Sequence, residues 1–143
     1  MNRIEKGVDY FKMGYNGAQA VLLAFEDDLN LPQETLLKIG AGLGAGFART
    51  RNLCGAVNGM GIVYGLLTNT TDKAKAYQEM QDLISDFTSI FKDINCGQLL
   101  KNVEVTPGFI PQERTDDYYK TRPCAKVVAC CIGILEKRLI NKD

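Results

Sequence analysis

Apolar residues recur at helical spacing along almost the whole chain. In the first segment Ile4, Val8, Phe11 and Tyr15 lie three or four residues apart, which places them on one face of a helix. The same spacing continues through 18–29, 32–39, 52–67, 76–91 and 123–139. No stretch of four to eight residues alternates apolar and polar side chains as a half-buried strand does. The pattern predicts one all-α domain over residues 1–143, a single compact bundle of five to seven helices.

Capping residues mark the starts of several predicted helices. Asn16 is followed three residues later by Gln19, and this Asn-x-x-Gln pattern favours a helix start over a hairpin turn. Further caps are expected at Asn52, Asp72 and Asn95, and prolines in the first helical turn at Pro32 and Pro123. Residues 102–112 contain two prolines and a glycine and are predicted to form the longest loop. The run 116–119 is predicted to be a solvent-facing surface.

Glycines are concentrated in the first half of the chain. Residues 40–46 contain four of them and predict a connection that is either flexible or tightly packed. The fourth helix carries four more, at Gly55, Gly59, Gly61 and Gly65. Each costs about 1 kcal/mol relative to alanine in a helix interior. We therefore expect another backbone to approach the glycine side of this helix closely.

Composition excludes several classes of function. The 17 Lys and Arg balance 17 Asp and Glu, which argues against binding to nucleic acid or to an anionic membrane. No apolar run approaches the roughly 20 residues of a membrane span. The N-terminal residues lack the apolar segment of a secretory signal, so a cytoplasmic location is expected. The chain has no histidine, which excludes His-dependent triads, His general bases and His-ligated metals.

Three of the five cysteines fall at predicted helix starts, namely Cys54, Cys96 and Cys124. The positive end of the helix dipole and the free N–H groups there favour a thiolate over a thiol. Arg49 and Arg51 precede Cys54 and should lower its pKa further. We therefore predict that Cys54 is the most reactive thiol, with a pKa below about 8.5.

Cys130 and Cys131 are interpreted differently. They lie inside the last predicted helix, where adjacent residues point about 100° apart. Free cysteine is among the most buried residue types, so we expect both to pack as small apolar side chains. The same reading applies to the other three cysteines as an alternative, because a small residue also suits a crowded first turn.

With these residues identified, the sequence resembles the C_GCAxxG_C_C family of redox-active proteins, which has four cysteines and a Cys-Gly-Ala-x-x-Gly motif. That motif occurs here as Cys54-Gly55-Ala56-Val57-Asn58-Gly59, after the glycine-rich stretch 40–46. The third and fourth family cysteines correspond to Cys96 and Cys124. The first has no counterpart, because Gly17 occupies its place in Asn-Gly-Ala-Gln-Ala-Val. The resemblance extends over about residues 12–135.

The resemblance implies a small bacterial protein with redox activity and a partner associated with a transporter. The leading hypothesis is a thiol redox protein in which two of Cys54, Cys96 and Cys124 cycle between dithiol and disulfide. In this hypothesis Arg49 and Arg51 support the thiolate. The supporting small residues that let the cysteine-bearing segments approach one another are Gly17, Gly55, Ala56 and Gly59. We expect the segments that begin at Gly17, Cys54, Cys96 and Cys124 to converge.

Two other functions stay open. The same three cysteines could hold zinc, copper(I) or an iron–sulfur cluster, since thiolates are soft ligands. Gly17 argues against a closed four-cysteine site and leaves three thiolates with an exogenous fourth ligand or Cys131. Alternatively, the chain is a non-catalytic helical module for packing or interaction. Replacing Gly17 by cysteine is expected to restore the complete set at little steric cost.

Overall fold

Every regular element of the computed structural model, which describes residues 1–141, is helical. The elements are α1 (Arg3–Lys12), α2 (Gly17–Ala24), α3 (Glu26–Leu29), α4 (Gln33–Gly40), α5 (Gly44–Phe47), α6 (Gly55–Thr68), α7 (Lys73–Phe91), α8 (Cys96–Leu99), α9 (Asp116–Thr121) and α10 (Cys124–Leu135), then a π-helical turn at Glu136–Ile140. Six of these helices have eight residues or more. The all-α prediction is confirmed. No helix within residues 1–141 is long and apolar enough to cross a membrane.

The predicted caps at Asn16, Asp72 and Asn95 are confirmed. The Asn16 side chain accepts a hydrogen bond from the Gln19 amide at 2.8 Å, and the Gln19 side chain accepts one from the Asn16 amide at 3.0 Å. Asp72 and Asn95 accept from the amides three residues further on. These bonds satisfy backbone donors that the first turn of a helix leaves free.

The predicted helix start at Asn52 is wrong. The helix α6 begins at Gly55, and Cys54 occupies the N-cap position. The backbone of the preceding segment is engaged elsewhere, because Cys54 N–H donates to Ile94 O at 2.9 Å and Cys96 N–H donates to Asn52 O at 2.6 Å. These bonds hold residues 52–54 in an antiparallel bridge to 94–96, so the helix starts only after the bridge.

Two predicted helices are also interrupted. The segment 18–29 divides into α2 and α3 at Phe25, whose φ of −107° and ψ of 16° leave the helical region. The Phe25 amide donates to Leu22 O at 3.1 Å, a tightened bond of the kind that closes many helix ends. The last predicted helix keeps α geometry up to Leu135 and then widens into the π-helical turn.

The helix α2 is the centre of the core. It packs against α1, α4, α6 and α10. Residues 18 and 20–25 are all buried, so α2 has almost no solvent-facing side, which fits its nearly continuous apolar sequence. Because α2 and α6 pack together, their N-terminal ends, at Gly17 and Gly55, lie near each other.

Close approach of another backbone is confirmed for two of the four glycines in α6. A Cβ atom at Gly59 would lie 2.9 Å from Ala18 O, and one at Gly55 would lie 3.0 Å from Leu43 O. A Cβ atom at Gly61 would lie 3.7 Å from its nearest neighbour, the Met80 side chain, and one at Gly65 would have no neighbour within 4 Å. The glycines in the first half of α6 are therefore required by packing, whereas the last one is not.

Candidate functional site

A cavity of about 440 Å³ lies where the N-terminal ends of α2, α6, α8 and α10 meet. Gly17, Cys54, Cys96 and Cys124 all contribute to its lining. We call it the cysteine cavity, after the three cysteines. The segments that the sequence expected to converge therefore do so. All five cysteines of the chain are free thiols in this structure.

The bridge between residues 52–54 and 94–96 positions two of these cysteines. Its central pair is Leu53 and Asn95, so Cys54 pairs with Ile94, and Cys96 becomes the diagonal neighbour of Cys54. Diagonal neighbours on antiparallel strands have their Cα atoms about 7–8 Å apart. Successive side chains along a strand point to opposite faces. Cys54 and Cys96 each follow a residue of the central pair, so their side chains both point to the face opposite to that of Leu53 and Asn95. The two thiols are thus presented together to the cavity.

The glycine-rich stretch forms the wall beside Cys96. Gly46 has a φ of 76°, and a Cβ atom there would lie 2.5 Å from Cys96 Cβ and 2.8 Å from Arg51 Cα. The Asn52 N–H donates a hydrogen bond to Gly46 O at 2.8 Å, which closes the turn. A side chain at position 46 would both strain the backbone and displace Cys96. The sequence predicted that this stretch is either flexible or tightly packed, and at Gly46 it is tightly packed.

Cys124 is the first residue of α10 and follows the N-cap Pro123. The preceding side chain, Arg122, is only 8% exposed. Its guanidinium lies 4.4 Å from the centroid of the Tyr118 ring and donates to the side-chain oxygen of Gln112. The Arg122 charge opposes the effect of burial on Cys124, but burial is the larger influence, and the pKa of the Cys124 thiol is raised.

The predicted low pKa of Cys54 is wrong in direction. Burial raises the pKa of the Cys54 thiol from 9.0 to about 11. The backbone amides of Val57 and Ala56, at the start of α6, act in the opposite direction, while the nearby Cys124 and Cys96 raise it further. The helix N-terminus thus has the predicted effect, but loss of solvation outweighs it.

The two arginines that precede Cys54 in sequence have different surroundings. Arg51 Nη1 lies 3.8 Å from the sulfur of Cys96. The Arg49 guanidinium donates to the carbonyls of Thr106 at 2.8 Å and Gly108 at 3.1 Å. Arg49 therefore holds the loop 102–112 at the edge of the cavity, and Arg51 is the arginine in contact with a thiol. Both line the cavity.

Sequence reasoning missed Arg114 and Tyr118. Arg114 donates to Phe11 O and, at 2.8 Å, to Tyr15 O, and its guanidinium lies 4.2 Å from the centroid of the Phe11 ring. Tyr118, expected on a solvent-facing surface, is half-buried and lies between Arg114 and Arg122. Arg114 precedes α9 and Arg122 follows it with an extended backbone, so helical spacing does not relate these residues to Tyr118, and the sequence held no local signal that the three meet.

The remaining two cysteines lie outside the cavity lining. Cys131 is fully buried in the core, where burial raises its pKa well above the ordinary value. Cys130 is partly exposed and packs at the edge of the same core. Among residues 1–141, no group of three or more Cys, His, Asp or Glu side chains is arranged to hold a metal ion.

Comparison with known proteins points to one family. The family described as "Putative redox-active protein (C_GCAxxG_C_C)" matches residues 15–138, which include every residue of the cysteine-cavity lining except Phe11 and Gly14. No curated protein and no solved structure matches the chain. Because the family match covers most of the sequence, the chain belongs to the C_GCAxxG_C_C family.

Proposed function

We propose that the protein is a thiol redox protein in which two of Cys54, Cys96 and Cys124 cycle between dithiol and disulfide. The observation that supports this most directly is the cavity itself, which gathers free thiols from three separate segments of the chain. Buried cysteines that serve only packing have no need to share a cavity. Membership of a redox-active family points in the same direction.

The arrangement favours Cys96 and Cys54 as the reacting pair. The Arg51 guanidinium lies against the Cys96 sulfur, so a negative charge on that sulfur has a partner. We assign Cys96 the attack on an external disulfide and Cys54 the second step, in which its sulfur attacks Cys96 and expels the substrate sulfur. Their Cα atoms, as diagonal neighbours about 7–8 Å apart, need to approach by roughly 1 Å to reach the range typical of disulfides.

Single substitutions test the assignment. On oxidation with bis(hydroxyethyl) disulfide, we expect the natural chain to lose two thiols and form one Cys54–Cys96 bond, identified by peptide mass spectrometry. Cys54→Ser should stop as a mixed disulfide on Cys96, because the second thiol is missing. Cys96→Ser should react at least about 10-fold more slowly, since the remaining cavity thiols are largely protonated. Cys130→Ser, outside the cavity, serves as the matched control and should behave as the natural chain does. Oxidation confined to Cys130 or Cys131 would contradict the proposal.

Replacing Gly17 by cysteine adds a fourth thiol to the cavity. A Cβ atom there would lie 3.1 Å from the Ala56 amide nitrogen, so the start of α6 must shift slightly. The steric cost is therefore larger than the sequence predicted. We expect the number of thiols lost on full oxidation to rise from two to four, because each cavity cysteine then has a partner. Gly17→Ser, with a similar volume and no thiol, should still lose two. Thiol titration of the denatured, oxidised proteins gives the counts. Equal counts for the two variants would show that position 17 does not reach the other sulfurs.

A further inference from the structure

Four arginines line the cysteine cavity: Arg49, Arg51, Arg114 and Arg122. No aspartate or glutamate lines it. The ion pairs of the described residues use other cations, namely Arg3, Lys6, Lys38 and Arg138. The chain as a whole has equal numbers of acidic and basic residues. The cavity is therefore a local concentration of positive charge without protein counter-charges.

Arg122 shows that this charge is not simply solvated. Its side chain is buried, at 8% exposure, and its contacts are a neutral glutamine and an aromatic ring. A buried arginine without an anionic partner is costly, and such residues are almost always paired. At the cavity edge, burial and the nearby charges of Arg51 and Arg122 lower the pKa of Arg49. An anion in the cavity would offset the cost of burying the Arg122 charge and would reduce the repulsion between the cavity arginines.

We propose that the cysteine cavity binds a small disulfide that carries carboxylate groups, with Arg51 and Arg122 holding those groups and the cavity thiols reducing the disulfide. This inference rests on the proposed thiol redox function. The volume of about 440 Å³ suits a small molecule rather than a protein loop. Guanidinium groups match carboxylates in planar, two-point geometry. Small disulfides built from cysteine-like units carry carboxylates as a rule.

The reaction balances without any further reagent. The Cys96 thiolate attacks one sulfur of the bound disulfide, which breaks the substrate S–S bond and releases one substrate thiol. Cys54 then attacks Cys96, which releases the second substrate thiol and leaves a protein disulfide. Two electrons pass from the protein to the substrate, and the two protons of the protein thiols leave on the products. The arginines take no part in electron transfer and act only on binding and orientation.

Three disulfides of similar size but different charge test the inference: dithiodipropionate, a dianion; bis(hydroxyethyl) disulfide, which is neutral; and cystamine, a dication. Each rate of protein oxidation is divided by the rate of the same disulfide with mercaptoethanol, which removes intrinsic reactivity. At low salt we expect the corrected rate to be about 10-fold or more higher for the dianion than for the neutral disulfide, and lowest for the dication. The advantage should shrink as sodium chloride is added.

Variants assign this preference to the cavity. Arg51→Gln and Arg122→Gln should each lower the dianion-to-neutral rate ratio by about 3-fold, so that together the two arginines account for a roughly 10-fold preference. Arg138→Gln removes the same charge at a site outside the cavity, where Arg138 pairs with Asp86, and should keep the natural ratio. Using the ratio makes the result independent of any general change in thiol reactivity. If Arg122→Gln fails to fold, Arg51→Gln carries the test alone, because the Arg51 side chain has the less buried position of the two.

A binding measurement separates failure of the inference from failure of the proposed function. Suberate has the length and charges of dithiodipropionate without a disulfide, and octanediol has the length without charge. Calorimetry should show suberate binding to the reduced protein and no binding of octanediol. Equal reaction with all three disulfides and no suberate binding would overturn the anion site while leaving the thiol function intact. Suberate binding with no reaction towards any disulfide would overturn both the thiol function and the disulfide assignment.

Discussion

Replacing Gly59 by alanine is expected to lower the free energy of unfolding by about 2–3 kcal/mol, the cost of overpacking a tight contact. The added Cβ would lie 2.9 Å from Ala18 O, 3.1 Å from Val21 Cβ and 3.2 Å from Ala18 Cα. Two of these atoms belong to backbone in the middle of the core, so no side-chain rotation can make room. The helices α2 and α6 must separate, which loosens the largest contact in the fold.

The same substitution at Gly65 is the matched control. This residue lies in the same helix, is exposed, and has no atom within 4 Å of the position that a Cβ would take. Alanine there should raise the free energy of unfolding by about 0.5–1 kcal/mol, because it removes the entropic cost of glycine in a helix. Chemical denaturation followed by helical circular dichroism measures both values. A shift of the same sign in the two variants would show that helix propensity, not close packing, governs these positions.

The helical architecture follows from local patterns, and so it could be predicted. The 3.6-residue spacing of apolar side chains located the six longer helices, and the Asn16 and Asn95 caps placed the starts of two segments that reach the cavity. The glycine excess in α6 indicated close backbone contacts, which Gly59 makes with α2 and Gly55 makes with Leu43 and Gly44. Each of these signals depends on residues within one or two turns of each other, where sequence determines geometry directly.

The errors come from interactions that are distant in sequence. The true start of α6 depends on the pairing of 52–54 with 94–96, about forty residues away. A run of left-handed residues before it, which includes Phe47, Ala48, Arg49 and Arg51, has no strong glycine or asparagine signature. Tertiary contacts hold these residues in place, so the local pattern indicated an earlier helix start.

The composition of the cavity lining was only partly visible. The three cysteines were found because a family motif and helix starts both marked them. Arg114 and Tyr118 were not, because they reach the cavity from a segment that looks polar and exposed. Net charge gave no sign of this feature, since seventeen acidic and seventeen basic residues balance in the whole chain while the charged residues of the cavity lining are all basic. A charge count has no spatial information.

The pH profile of Cys54 alkylation is the second large expected effect. With its pKa raised from 9.0 to about 11, we expect Cys54 to react with iodoacetamide about 100-fold more slowly at pH 7 than a thiol of ordinary pKa, because the thiolate fraction falls tenfold per unit. The rate should climb tenfold per pH unit and level off only near pH 11. Mass spectrometry of the modified peptide assigns the rate to Cys54, and the same residue in urea-unfolded protein is the control.

The raised pKa also determines how Cys54 affects stability. The folded state holds the proton more tightly than the unfolded state, so the unfolded state binds fewer protons between pH 9 and pH 11. The stabilisation is therefore complete below pH 9 and is lost as the pH rises towards 11. Cys54→Ala should lose less stability across this window than the natural chain, because the buried group that ionises is gone. Alkylation that levels off at or below pH 9, with identical alkaline unfolding of the two proteins, would show that burial does not control this thiol. In that case the attack of Cys54 on the mixed disulfide at Cys96 would be fast at neutral pH. Burial of Cys54 predicts instead that this step accelerates with pH, in parallel with the alkylation of the same thiol.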